Sequence, residues 1–232
     1  MQKAYFEMVL ERTICHTEKL LKKLQAVQRD YADKRTEDAM EKAVSAAKQA
    51  EEVALLTRVL PAHTGHPRAK ELVANAIGEA VPVEIGFTEQ GWFCLRMPIL
   101  LPRKEKASRG YIRGFLYPAL GRFAAGRRFR YRNCVLIFRH IYDTNRPERE
   151  YRDHDNIELN TVVDAIAMFF LVDDTPLECR HYYCSASGSS ERTEVYIVSR
   201  NEFEEWLAME TSIPDIGFFL YENPPVSREI DT

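Results

Sequence analysis

Apolar residues in the first sixty positions recur at helical spacing: Phe6, Val9, Leu10, Ile14, Leu20, Leu21, Leu24 and Val27. No glycine or proline interrupts this stretch before Pro61, and Ala, Glu, Lys, Leu and Gln dominate it, all good helix formers. The charged segment Asp30–Thr36 predicts a turn, and Thr36 followed by Glu37, Asp38 and Met40 reads as the capped start of a second helix running to about Leu60. Two helices of similar length predict an antiparallel hairpin over residues 1–62, an arm that packs on itself, on another copy or on a protein partner.

Past Pro67 the pattern changes. A short helix is expected around Arg68–Ile77, then a β-hairpin from Val81–Phe87 and Trp92–Met97 around the turn TEQG. The stretch from Pro102 to Arg132 mixes basic residues, regularly placed aromatics and four glycines, and carries no assigned element. Cys134–Tyr142 is nearly all apolar, the mark of a strand buried on both faces. A polar loop leads from it to DHDN at Asp153–Asn156, where Asp155 or Asn156 reads as the N-cap of a helix ending near Val172. LECRHYYCSA and TEVYIVS predict two strands joined by SGSSER, followed by a short helix in NEFEEWLAM and an irregular tail. The fold class is α+β, a mixed sheet with helices over residues 67–232, preceded by the helical arm.

Composition narrows this further. Of 232 residues, 45% are hydrophobic and 11% aromatic, enough to build a core. The longest apolar run, Ala165–Val172, is far shorter than the roughly 18–20 residues of a membrane span. Acids in the N-terminal segment do not suit a signal peptide, and five scattered cysteines without CxxC suit a reducing compartment, so a soluble cytoplasmic protein is expected. The net charge of −3 conceals an asymmetry: Arg103–Arg132 holds ten basic residues and one acid, Glu105, whereas the chain from Asn201 onward holds eight acids and one arginine. A basic block of this kind points to a polyanionic partner.

The chemistry centres on carboxylates. Asp153 and Asp155 stand two apart, so in extended backbone both point to one side. Asp173-Asp174 close the following helix, and if the fold returns that end to Asp153, the mutual repulsion of the acids favours a divalent cation with hard oxygen ligands. Spacing alone equally fits a helix cap and a turn.

The order of these features resembles the RusA family of Holliday-junction resolvases: the strand CVLIFRHIY, the turn DHDN, a helix carrying Asp164-Ala165-Ile166, the pair Asp173-Asp174 and two closing strands. The nineteen-residue step from Asp155 to Asp174 matches the family too. The resemblance implies a RusA-like sheet with a final hairpin, a homodimer, and a Mg²⁺- or Mn²⁺-dependent endonuclease acting on branched DNA in recombination and repair. It implies Asp153, Asp155 and Asp174 as catalytic metal ligands, with Asp173, Asp164 and Asn156 supporting them. Two features depart from the family. Its lysine four residues after the second motif aspartate is Leu159 here, followed by Asn160, and the helical arm is foreign to its short members. A non-catalytic relative that binds DNA or assembles with a partner is the alternative.

The basic block fits either reading. Arg103, Lys104, Lys106, Arg109, Arg113, Arg127, Arg128 and Arg130 are the expected DNA contacts, since a nuclease must neutralise phosphates beside its site. Tyr111, Phe115 and Tyr117 interleave with them; Tyr111 suits base stacking and Phe115 suits the core. Cys179, His181 and Cys184 invite a zinc reading, but strand alternation turns Cys184 away from the other two. No P-loop or dinucleotide fingerprint occurs.

Overall fold

The computed structural model describes residues 2–104, 106–145, 154–215 and 219–225. It divides into two compact units: Met1–Ala76 with Lys106–Tyr111, and Ile77–Glu105 with Ile112–Thr232. Among the described residues no helix is long and apolar enough to cross a membrane.

The first unit is the helical hairpin. Helix α1 spans Gln2–Ala32 and α2 spans Thr36–Val59. The turn between them places Lys34 at φ 60°, in the left-handed region. Asp30 is buried there, bonded to Arg35 at 2.6 Å and to Lys42, and the Arg35 amide donates to the Asp30 carbonyl at 2.9 Å. Thr36 does not cap α2: the capping position is Arg35, without a side-chain bond, because the Asp30 ion pairs already close the turn. In the last turn of α2, Arg58 donates to the Tyr111 carbonyl at 2.9 Å and lies 4.6 Å over the Tyr111 ring, so this tyrosine is occupied within its own unit.

The second unit is a five-stranded sheet with flanking helices. Helix α3 (Ala69–Ala80) leads to strands β1 (Glu84–Phe87) and β2 (Phe93–Met97), which form the expected antiparallel hairpin. Helix α4 (Lys106–Ala124) follows, then β3 (Cys134–Asp143), α5 (Asn160–Phe170), β4 (Cys179–Gly188), β5 (Arg192–Ser199) and α6 (Phe203–Met209). The strand order is β1-β2-β5-β3-β4, with β3 and β4 parallel and the other pairs antiparallel, so the α+β class holds.

Two expectations are corrected. Sequences LECRHYYCSA and TEVYIVS do not make a hairpin: β4 and β5 lie on opposite sides of β3. The chain between them crosses the end of β3, where Thr144 donates to the Gly188 carbonyl through its amide at 2.9 Å and its hydroxyl at 2.7 Å. Gly188 must be glycine, since a Cβ there would collide with the side chains of Ile141 and Asp215. The glycine-bearing basic stretch, left unassigned, is largely the 19-residue helix α4, despite Gly110, Gly114, Gly121 and Pro118. Packing overrides propensity here: Ile112, Phe115, Leu116, Ala119 and Leu120 follow helical spacing and are all buried.

Cores lie on both faces of the sheet, which is why β3 lacks an alternating pattern. On one face Phe93 packs 4.8 Å from Phe170 of α5 and 5.9 Å from Phe123 of α4. On the other, Trp92, Cys94, Val135, Ile137, Tyr196 and Val198 surround Trp206 of α6. Within the sheet, fully buried Glu194 accepts from Arg139 at 3.0 Å, Arg192 at 2.8 Å and the Tyr196 hydroxyl at 2.8 Å. Breaking such a buried cluster from one side typically costs about 3–5 kcal/mol, since the partner charges stay behind.

Candidate functional site at the acidic turn

Residues His154–Asn156 form a single 3₁₀ turn, and backbone pairing determines where it sits. The Lys104 amide donates to the Asn156 carbonyl at 2.8 Å, the Glu158 amide donates to the Pro102 carbonyl at 3.0 Å, and Arg103 forms an antiparallel bridge with Ile157. Buried Ile157 and Leu159 anchor the far side of the turn in the core. His154 leans onto the sheet: its ring lies 5.5 Å from His140 and 5.7 Å from Tyr183, and Nε2 is 3.1 Å from the Ser185 hydroxyl. Asp155 and Asn156 are exposed beside it.

Neither Asp155 nor Asn156 caps the helix. Helix α5 begins at Asn160, after Leu159 at the capping position, and buried Glu158 accepts from the Thr161 amide at 3.3 Å and hydroxyl at 3.0 Å. The backbone around Asp155 is taken up by pairing with residues 102–104, which moves the helix start downstream.

The other acidic pair stands at the far end of α5. The Tyr131 amide donates to the Phe170 carbonyl at 2.7 Å, and the Val172 amide donates to Tyr131 at 3.0 Å. Asp173 accepts from the Thr175 amide at 3.2 Å, and the Thr175 carbonyl accepts from the amides of Glu178 at 3.0 Å and Cys179 at 2.8 Å. The eleven-residue helix α5 separates Asp155 from Asp174 by a rise of about 16 Å. Their anchors on β4, Ser185 for the turn and Cys179 for the pair, are six residues apart, roughly 20 Å of strand. Asp153 lies outside the described residues. Asp164 is exposed on α5. Among the described residues no three His, Cys, Asp or Glu side chains form a group that could hold a metal ion.

The basic residues sort into distinct uses. Arg103 and Lys104 are held by the bridge beside Asp155, and both are exposed. Arg113 lies 5.8 Å over the Tyr117 ring and Arg128 is exposed. Arg127 serves a helix end: it donates to the Phe123 carbonyl at 2.6 Å, stacks 4.2 Å over the Phe123 ring and lies 3.6 Å from Glu222. Arg130 closes the end of α5, donating to the carbonyls of Met168 at 3.1 Å and Leu171 at 2.8 Å. Arg109 is exposed in the unit that carries the arm, where the Lys106 backbone also belongs; the Lys106 side chain lies outside the described residues. Phe115 is core, as its apolar surroundings in the sequence imply.

Sequence reasoning missed the neighbours of Asp155. Lys104 sits 51 positions before it, and only the short backbone bridge joins the two segments. His140 is fully buried in β3, in a strand read as simply apolar. On β4, Cys184 joins the Trp206 core while Cys179 pairs in register with Cys134 of β3. Burial and a neighbouring carboxylate, Glu210, push the Cys184 thiol up to about 12, so it stays protonated.

A family model described as a family of unknown function matches residues 2–223, a span that takes in both the arm and the sheet. No curated protein matches the chain, and no solved structure does.

Proposed function

The chain belongs to that family, DUF6100, and we propose that it is a RusA-like, metal-dependent, structure-selective endonuclease acting on branched DNA. The observation that carries this reading is the bridge from Pro102–Lys104 to Asn156–Glu158, which holds Lys104 next to the acidic turn. The RusA resemblance requires a cation near the second motif aspartate. Leu159 is buried and Asn160 is neutral, so neither supplies it. In this reading Lys104 would supply it from another segment, with Arg103 beside it in sequence. An ammonium there would bind the scissile phosphate and stabilise the charge that develops on it.

The described residues do not by themselves make a site for Mg²⁺ or Mn²⁺. The ligand set rests on Asp153, two positions before Asp155, and Asp174 enters it on the family resemblance although helix α5 separates it from Asp155. That separation favours the second reading, a RusA-like protein that binds branched DNA without cutting it.

A synthetic four-way junction incubated with the protein and Mg²⁺ decides between them. The nuclease reading expects paired nicks that Asp155→Asn abolishes while junction binding persists, and that Lys104→Ala reduces roughly 10²-fold, the scale of losing one preorganised charge. Binding without nicks by the unmodified protein would leave the non-catalytic reading. Absence of both would end the DNA reading altogether.

A further inference from the structure

Helix α1 covers a mixed side, Val9, Leu20 and Val27 along with Thr13, Lys23 and Asp30, and leaves a second row of apolar residues exposed. Along the inner side, Lys23 donates to the Ser45 carbonyl at 3.2 Å and to Gln49 at 3.3 Å, and Gln49 lies 3.0 Å from His16 Nδ1. The outer side carries Leu10, Ile14, Leu21, Leu24 and Tyr31, with Ile14 and Leu24 50% exposed, Leu21 55% and Tyr31 74%. The positions 10, 14, 17, 21, 24, 28 and 31 advance by alternate steps of four and three. That is the period-3.5 spacing by which one helix supercoils against another, with Thr17 and Gln28 as two polar positions among five apolar ones. The hairpin leaves this row uncovered while burying Val9, Ala39 and Ala46 together with Thr13, Asp30 and Gln49.

The charges flanking the seam identify what covers it. On the side away from α2 run, in order, Glu11, Glu18, Lys22 and Arg29, all exposed. The order is self-complementary. Laid antiparallel about a two-fold axis near residue 20, a second copy sets Lys22 opposite Glu18 and Arg29 opposite Glu11, and the same two pairs repeat by symmetry. A parallel copy would instead set Glu11 and Glu18 against themselves. We propose that α1 is a dimerisation helix, pairing antiparallel with α1 of a second copy of this chain through Leu10, Ile14, Leu21 and Leu24. This proposal stands independently of the nuclease reading.

Sedimentation equilibrium on the full chain tests it. The unmodified protein is expected to self-associate, and Leu21→Glu with Leu24→Glu to halve the assembly mass while the far-ultraviolet helical signal remains. Glu18→Lys alone replaces two attractions by two repulsions and should weaken the dimer roughly tenfold. Adding Lys22→Glu to the same chain should restore it, an outcome that an unfolded arm could not produce. A monomeric parent, or an assembly indifferent to both leucine changes and the charge swap, would overturn the proposal.

Discussion

Asp30 shows how one residue closes the arm. Its carboxylate is buried at the hairpin turn, and the Lys42 ammonium bonded to it, with Arg35 and Arg29 nearby, holds its pKa below the ordinary aspartate value of 3.8 despite the burial. A depressed folded-state pKa means the ion pairs stabilise the fold above that ordinary value, and the contribution disappears as pH falls through the folded value. Asp30→Asn is therefore expected to lower the midpoint of thermal unfolding near neutral pH. The gap to the parent should close as pH drops below 3.8. Melting curves followed by far-ultraviolet circular dichroism at both ends of this range check it, and a gap that survives in acid would assign the loss to shape rather than charge.

At the scale of elements, arginines that look alike in the sequence do different work. Helix α5 ends without a glycine, and Arg130 takes its place by donating to the Met168 and Leu171 carbonyls. A cation at a helix C-terminus is doubly suited, as a donor and against the dipole. Arg130→Ala should cost about 1.5–3 kcal/mol in urea unfolding, the range for hydrogen bonds from a charged group. Arg128→Ala, two positions away and exposed, should leave stability unchanged. If the two variants unfold alike, the capping role is wrong.

The whole molecule is where the two units and the charge asymmetry meet function. One family model spans both arm and sheet, so the arm belongs to the family's architecture and is not an appendage of this chain. If the proposed DNA reading holds, each phosphate contact adds its share of salt dependence. Junction affinity should fall linearly with salt on logarithmic axes, and charge reversal at Lys104, Arg113 or Arg128 should flatten that slope by about one unit each, alike for all DNA sequences. Fluorescence anisotropy titrations across salt concentrations read this out. An affinity indifferent to salt would return the basic block to ordinary surface.

What the sequence determined by itself is whatever depends on local periodicity. The arm was legible because Phe6 through Val27 repeat at helical spacing without glycine or proline, and the doubly covered β3 because Cys134–Tyr142 alternates little. The class, a mixed sheet with helices, followed from those two signals. Tertiary structure decided the rest, because it rests on pairings between distant segments. Helix α4 forms against its glycines because its stripe from Ile112 to Leu120 is buried in a core, which no local propensity records. Strands β4 and β5 part around β3 although a short turn joins them, because each pairs in register with β3, β4 parallel and β5 antiparallel. Asp155 leaves the helix cap and gains Lys104 because a few backbone hydrogen bonds join segments some fifty residues apart. Side-chain identity cannot announce such bonds, for backbone amides and carbonyls are the same at every position but proline.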